Sequence, residues 1–210
     1  ADMLHPIFEE SDGLNGYASI EIDPQACCDP VCAVGAVRRL LANIDRGNVM
    51  VEMPATRVGI EAMKALTVDG ISFNATHLFS ISVFERVAQA YIDGLEEYFA
   101  THSVWRKAPN AVASFSVGAI DSVVNEGLLA LERPDLLGIT GIVMARTLYA
   151  RFREIFAGPR WDRLAARGAR VLRPKWTALM PSDPAIPPNL FADALIGEDP
   201  VITFTLETLE

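Results

Sequence analysis

Residues 48–56 read NVMVEMPAT, and residues 70–80 read GISFNATHLFS. Each stretch is a short apolar run that ends in polar residues and is followed by a helical pattern, which predicts two strand–helix units. The first run carries a carboxylate, Glu52, close to its C-terminal end. A carboxylate in a buried strand is costly unless it is paired, hydrated or protonated. The C-terminal ends of strands are also where α/β proteins hold their ligands, so Glu52 is a candidate site residue.

The same alternation of strand and helix patterns continues along the whole chain. Strands are predicted at residues 16–23, 49–53, 71–75, 111–117, 169–176 and 201–205. Helices are predicted at residues 30–45, 56–67, 80–99, 120–131, 139–156, 161–167 and 190–195. Strands that alternate with helices indicate a parallel sheet, and therefore an α/β protein. We expect one domain over residues 1–210.

Composition excludes several classes of protein. Of the 210 residues, 50% are hydrophobic and only 21% are charged, which argues against disorder. The net charge of −9 argues against nucleic acid or an anionic membrane as the main partner. No apolar run approaches the length of a membrane span, and no signal peptide is visible, so we expect a cytoplasmic protein.

Three cysteines lie close together, at Cys27, Cys28 and Cys32. A metal site built on them would need a fourth ligand, and the three histidines are scattered along the sequence. Reduced cytosolic thiols are the simpler interpretation. We expect no cofactor.

The two opening stretches resemble transaldolase, a family of (β/α)8 barrels related to the class I aldolases. In that family a strand of the form I-K-[IVL]-P-A-T precedes a helix, and the next strand reads G-I-[NS]-x-N-x-T-x-x-F-S. The resemblance covers nearly the whole chain and implies a TIM-type (β/α) barrel of transaldolase type, with about six of the eight βα units present. The six strands correspond to the third to eighth strands of the family. Its first two βα units, with a T-x-N-P segment and a catalytic Asp, have no counterpart here, nor does its last helix.

The resemblance also implies roles for individual residues. Glu52 stands where the family has the Lys that forms a Schiff base with the donor sugar phosphate. Glu21 matches a Glu that helps to activate water. Asn74 and Thr76 match the Asn-x-Thr that hydrogen-bonds substrate and catalytic water, and Ser114 matches a Ser that helps to hold substrate.

Two further family positions are changed. The family continues from that Ser into F-V-x-R, whose Arg grips the substrate phosphate, and here Ala119 stands for the Arg. The family's R-P-L-W-A-S-T-G becomes RPKWTALM at residues 173–180, so that Ala178 replaces a Ser on the phosphate side. A methyl group cannot replace a bidentate guanidinium. The hydroxyls of Ser116 and Thr177 in these stretches are, with Ser114, the candidate substrate-binding groups.

No other lysine is expected to supply the Schiff base. The chain has three lysines: Lys64 lies on a predicted helix and Lys107 in a linker. Lys175 lies on a predicted strand, but with a parity opposite to that of Ala178. We therefore expect it to face outward, toward the helix layer or solvent.

Glu21 and Glu52 are predicted on adjacent strands, with backbones roughly 5 Å apart. Such a pair suits general acid/base chemistry, or a divalent cation with Asn74 and Thr76 as neighbours. Alternatively, Glu52 is a degenerate position held by hydrogen bonds.

Two functions therefore stay open. The first is a transaldolase-like protein of carbohydrate (sugar phosphate, pentose phosphate-type) metabolism without classical Schiff-base activity, acting as a pseudoenzyme or an interaction subunit. The alternative is an enzyme of changed chemistry that uses the two carboxylates on a small polyol or carbonyl substrate. The expected partners are a carbohydrate-like ligand and a second copy or another protein that covers the open sheet edges.

Overall fold

A computed structural model describes residues 1–23, 25, 28–102, 107–181 and 186–204. The strands are β1 (Ala18–Glu21), β2 (Val49–Pro54), β3 (Phe73–Leu78), β4 (Ala111–Ser116), β5 (Arg173–Thr177) and β6 (Val201–Ile202). The helices are α1 (His5–Glu10), α2 (Pro30–Ile44), α3 (Arg57–Val68), α4 (Ile81–Thr101), α5 (Val117–Ala130), α6 (Thr140–Ile155), α7 (Pro159–Ala165) and α8 (Leu190–Leu195). Cys27 and Thr205, which belong to a cysteine cluster and a strand predicted above, lie outside the described residues.

The six strands form one sheet in the order β1-β2-β3-β4-β5-β6, which is also their order along the chain. Strand β1 pairs with β2, β2 with β3, and β5 with β6, and each of these pairs is parallel. This confirms the α/β class and the six strands, in the order expected of a TIM-type (β/α) barrel with about six of its βα units. The strand of residues 169–176 was predicted too long at its start, since β5 begins at Arg173.

Side-chain caps mark the starts of α2 and α3. The Asp29 carboxylate accepts hydrogen bonds from the backbone N–H groups of Val31 and Cys32, and Pro30 occupies the first turn of α2. The Thr56 hydroxyl accepts from the N–H of Gly59 at the start of α3. Each cap satisfies donors that a helix leaves unpaired, and so fixes where the chain turns from sheet to helix.

The backbones of β2 and α3 approach each other closely where the chain turns from the strand into the helix. A Cβ atom at Gly59 would lie 1.9 Å from the carbonyl oxygen of Pro54, a distance that no side chain tolerates. Only glycine permits this approach, so the first turn of α3 is held directly against the end of β2.

The chain comprises two compact units, and the first contains residues 1–76, 86–112 and 156–172. Its core lies between the sheet and the helices, where Val51, Met53 and Phe73 have no exposed surface. The rings of Phe73 on β3 and Tyr91 on α4 meet edge to face at 5.8 Å. The sequence analysis missed one element of this unit, the short helix α1, because its residues show no clear apolar period.

The second unit contains residues 77–85, 113–155 and 173–210. Trp176 on β5 and Phe115 on β4 pack edge to face at 6.2 Å, and both are buried. Asp121 on α5 accepts hydrogen bonds from the Asn125 side chain and from the backbone N–H of Gly141, which ties α5 to α6. Among the described residues no helix is both long enough and apolar enough to cross a membrane.

Candidate functional site

Three neighbouring strands of the first unit bring polar side chains together. The Asn74 side-chain amide on β3 donates to Glu52 Oε1 on β2 at 3.2 Å and to Ser19 Oγ on β1 at 3.3 Å. Only 1% of Asn74 is exposed, so this amide is a buried link between the strands. Glu52 therefore lies on the same sheet face as Ser19 and Asn74, away from the buried Val51 and Met53.

Glu21 and Glu52 are register partners on the parallel strands β1 and β2. Side chains alternate along a strand, so Glu21 shares the sheet face of Ser19 and hence of Glu52. Glu21 is exposed and Glu52 half-buried. Neither makes a salt bridge within the described part of the chain. Two like charges so placed repel each other, and either carboxylate can accept a proton or a hydrogen bond from a bound molecule.

Thr76 extends this group toward the end of β3. It lies two residues beyond Asn74, on the same face, and its register partner is Pro54. Its carbonyl oxygen accepts from the N–H of Ala55 at 2.9 Å, just before the cap of α3. We call Ser19, Glu21, Glu52, Asn74 and Thr76 the carboxylate cluster.

Metal ligands are not grouped in the described residues. No three His, Cys, Asp or Glu side chains among residues 1–23, 25, 28–102, 107–181 and 186–204 are placed to hold one ion. Cys28 and Cys32 are exposed free thiols. A cation at the carboxylate cluster would have to take its other oxygen ligands from Asn74, Thr76, Ser19 or a bound molecule.

The other candidate residues lie in the second unit. Ser116 Oγ on β4 and Thr177 Oγ1 on β5 are 3.4 Å apart, and Thr177 donates to the carbonyl oxygen of Phe115 at 3.3 Å. Ser114 is buried two residues before Ser116 and shares its strand face. The structure thus brings Ser116 and Thr177 together, with Ser114 one step deeper along the same strand.

The expected orientation of Lys175 is wrong. Trp176 is 1% exposed and lines a cavity together with Ala145 and Tyr149 of α6 and Leu195 of α8, so it faces the helices. Strand alternation puts Lys175 on the opposite face, with Thr177. The parity argument failed because β5 ends at Thr177, and Ala178 has a left-handed φ of 54° and does not continue the alternation.

Ala119 and Ala178, where the resemblance implies that polar groups of the family are absent, lie shortly after the ends of β4 and β5. Ala119 is exposed on the first turn of α5. The backbone N–H of Gly118 beside it donates to the carbonyl oxygen of Ala178 at 3.0 Å. A Cβ atom at Gly118 would lie 2.1 Å from that oxygen, so the two segments are fixed by close backbone contact.

Comparison with known proteins settles the family. The model of the transaldolase/fructose-6-phosphate aldolase family matches residues 1–210. The chain belongs to this family. It is 35% identical to the transaldolase of Acidothermus cellulolyticus over 212 residues, which are all of this chain but 56% of that protein. It is 35% identical to the Thermobifida fusca transaldolase, covering all of this chain and 58% of that protein, and 36% identical to the Thiobacillus denitrificans transaldolase, covering 99% and 58%. The chain spans less than three fifths of the length of these relatives.

Family membership confirms the resemblance on which the site residues were chosen, while their roles stay predictions. Sequence reasoning missed Ser19, which bonds to Asn74. The signal was present, because Ser19 is two residues before Glu21 and so shares its strand face. It also missed that Lys175 lies on the face of Thr177.

Proposed function

We propose that this chain is a carbohydrate-binding member of the transaldolase/fructose-6-phosphate aldolase family that lacks classical Schiff-base chemistry. The observation that carries the proposal is Glu52, a carboxylate bonded to Asn74 where the family has its lysine. An imine requires a primary amine, which a carboxylate does not provide. Position 52 can still accept a proton or a hydrogen bond.

The changes in the second unit support the same proposal. Ala119 and Ala178 offer a phosphate neither charge nor hydroxyl. The hydroxyls of Ser116 and Thr177 remain, and these suit the neutral oxygens of a sugar or polyol. A protein that keeps hydroxyl and carboxylate groups but lacks the amine is suited to hold a carbohydrate-like ligand without turning it over, as a pseudoenzyme or an interaction subunit of sugar-phosphate metabolism in the cytoplasm.

Assembly with a second copy or with another protein belongs to this proposal. β1 and β6 are the outermost strands in the sheet order, and edge strands normally need cover. In the second unit the apolar side chains of Val123 and Leu131, at the surface of α5 and just after it, are 72% and 73% exposed. Exposed apolar groups of this kind favour association.

Reductive trapping tests the missing amine. The chain is incubated with dihydroxyacetone or fructose 6-phosphate, reduced with borohydride and weighed intact, with the Thermobifida fusca transaldolase as the positive control. We expect no stoichiometric adduct, because Glu52 cannot form one and Lys175 lies in the middle of β5 and not at its C-terminal end. A stoichiometric mass shift that maps to Lys175, and disappears in Lys175→Gln, would overturn the proposal.

The alternative function, acid/base chemistry by the carboxylate pair, is favoured by one observation. Glu21 and Glu52 are register partners on one sheet face, so a carbonyl compound above them could lose a proton to one and gain a proton from the other. Exchange of the carbon-bound protons of dihydroxyacetone in D2O, followed by NMR, tests this. Exchange that both Glu52→Gln and Glu21→Gln abolish, but the surface variant Glu61→Gln does not, would favour the alternative; no exchange above buffer would rule it out for this substrate.

A further inference from the structure

The first unit contains a cavity of about 550 Å³ on the far side of the sheet's strands from the carboxylates of Glu21 and Glu52, toward the N-terminal ends of those strands. Tyr17, Ser72 and Asn110, which line it, immediately precede β1, β3 and β4. Glu21 and Glu52 lie at or near the other, C-terminal ends of β1 and β2. Because the strands are parallel, the cavity and these two carboxylates lie toward opposite ends of the sheet, with the four residues of β1, at about 3.3 Å each, between Tyr17 and the end of the strand at Glu21.

Cations outnumber anions in the lining of this cavity. Lys107, Arg167 and Arg170 face one carboxylate, Asp12. The whole chain has the opposite balance, with a net charge of −9. A local excess of positive charge in an acidic protein attracts small anions.

The two arginines of the lining have N–H groups that are available to a bound anion. Arg170 uses only Nη2, which donates to the carbonyl oxygen and the carboxylate of Asp12. Arg167 uses Nη2 on the carbonyl oxygen of Phe99, and its guanidinium stacks 4.6 Å from the centre of that ring. Each guanidinium has five N–H groups, so most of these donors have no protein acceptor within the described part of the chain. The contacts that are made hold the guanidinium groups in place.

The neutral side chains of Tyr17, Ser72 and Asn110 in the lining are held in place by hydrogen bonds. The Asn110 side-chain amide, in a residue that is 9% exposed, donates to Gly13 O at 2.7 Å and to the Tyr17 hydroxyl at 2.8 Å. The Ser72 hydroxyl accepts from the N–H of Asn110 at 3.1 Å. Since the hydroxyl oxygens of Tyr17 and Ser72 act as acceptors in these bonds, both O–H groups are left to donate.

The carboxylate of Asp12 already occupies part of this cationic site. Its carboxylate bonds to Lys107 Nζ and to Arg170 Nη2, and these interactions lower the pKa of Asp12, chiefly through the hydrogen bond from Lys107. We propose that the cavity binds a small multivalent anion, bearing phosphate or carboxylate groups, which shares Lys107 and Arg170 with Asp12. This site is separate from the carboxylate cluster and independent of the function proposed for it.

Titration calorimetry at low ionic strength tests the site with pyrophosphate, inorganic phosphate and citrate as separate probes. We expect saturable binding of at least one probe, and at least a tenfold loss of its affinity in Arg170→Gln and in Lys107→Gln. Arg38→Gln removes a surface arginine paired with Asp69 outside the cavity, and should leave the affinity within about twofold. Which probes bind separates phosphate from carboxylate recognition.

Two further variants make the test specific to this cavity. Asp12→Asn should raise the affinity severalfold, because it removes the competing carboxylate and frees both cations. Tyr17→Phe removes one hydroxyl and should weaken binding without unfolding the chain, which a thermal melt checks. Glu52→Gln should leave the affinity unchanged. No saturable binding below about 10 mM, equal losses in Arg170→Gln and Arg38→Gln, or weaker binding in Asp12→Asn would each overturn the proposal.

Discussion

Asn74 joins the carboxylate of Glu52 to the hydroxyl of Ser19 through a single nitrogen, Nδ2, at 3.2 and 3.3 Å. This amide therefore links β1, β2 and β3 through their side chains. Because Asn74 is buried and Glu52 only half-buried, the amide is the fixed partner and orients the carboxylate.

Replacing Asn74 by alanine should destabilise the fold. The change removes the amide that donates to Glu52, so that the half-buried carboxylate loses this hydrogen bond. A loss of this kind typically lowers the free energy of unfolding by about 1–3 kcal/mol. Urea unfolding of the wild type and of Asn74→Ala measures the loss. In a double-mutant cycle with Glu52→Ala, which removes the acceptor, we expect a coupling energy of about 0.5 kcal/mol or more, and a coupling energy near zero would show that the bond does not matter.

Glu52→Gln should be neutral or stabilising near neutral pH. The amide oxygen of Gln can still accept from Asn74, while the repulsion between position 52 and Glu21 disappears. Thermal melts with and without EDTA and magnesium measure the effect, and Glu61→Gln on the surface of α3 is the control. A loss of roughly 3–5 kcal/mol without metal dependence would instead indicate a buried ion pair at Glu52.

Glu52→Lys should not create transaldolase turnover. By the resemblance to the family, the new amine would have no guanidinium for a substrate phosphate, because Ala119 stands where the family has its Arg, and Ala178 adds no hydroxyl. The assay is transfer from fructose 6-phosphate to erythrose 4-phosphate, with the double variant Glu52→Lys, Ala119→Arg run beside it. Measurable transfer by the single variant would show that the phosphate contacts matter less than we argue.

The stabilisation contributed by Arg160 should decline in acid. Arg160 donates to Glu96 and Asp93, and its hydrogen bond holds the pKa of Glu96 below the ordinary value near 4.5. A lowered carboxyl pKa stabilises the fold above the unfolded value, and this stabilisation is lost as the pH falls through the folded value. These side chains are more than a third exposed, so solvent screening keeps the effect below about 1 kcal/mol. The stability difference between wild type and Arg160→Gln should therefore be larger at pH 7 than at pH 3 in urea unfolding; an equal or larger difference at pH 3 would contradict it.

The purified chain should associate at micromolar concentration. The edge strands β1 and β6 and the exposed Val123 and Leu131 all favour a covered surface. Sedimentation velocity should show a dimer or a larger species, and Val123→Glu should shift it toward monomer more than Val31→Glu, a change at another exposed valine. A stable, well-folded monomer for the wild type would contradict the expectation.

The strands and most helices could be predicted because each carries a local signal. The period of apolar residues located α2 to α6, and short apolar runs located β2 and β4 to within a residue or two. Helix α1 had no such period. Most of the carboxylate cluster was predictable, because Glu21, Glu52 and Asn74 fall on consecutive parallel strands, where they are register partners. Ser19 was missed.

One prediction failed because the end of a strand was placed wrongly. The orientation of Lys175 was inferred by counting from Ala178, a residue whose positive φ ends the alternation and leaves no mark in the sequence. The cavity beside Lys107 and Arg170 could not be predicted, because its lining comes from separate segments between residues 8 and 170 that only the folded chain brings together.

The close backbone approach of Gly59 to Pro54 makes position 52 suitable for engineering. Because this close approach does not involve the side chain at position 52, we expect substitutions there to leave the path of β2 unchanged. Side chains as different as lysine, glutamate and glutamine would be displayed from the same point at the same angle. A library of substitutions at positions 52 and 74 would therefore vary the chemistry of this end of the sheet on a constant scaffold, whereas one added methyl group at position 59 would dislodge it.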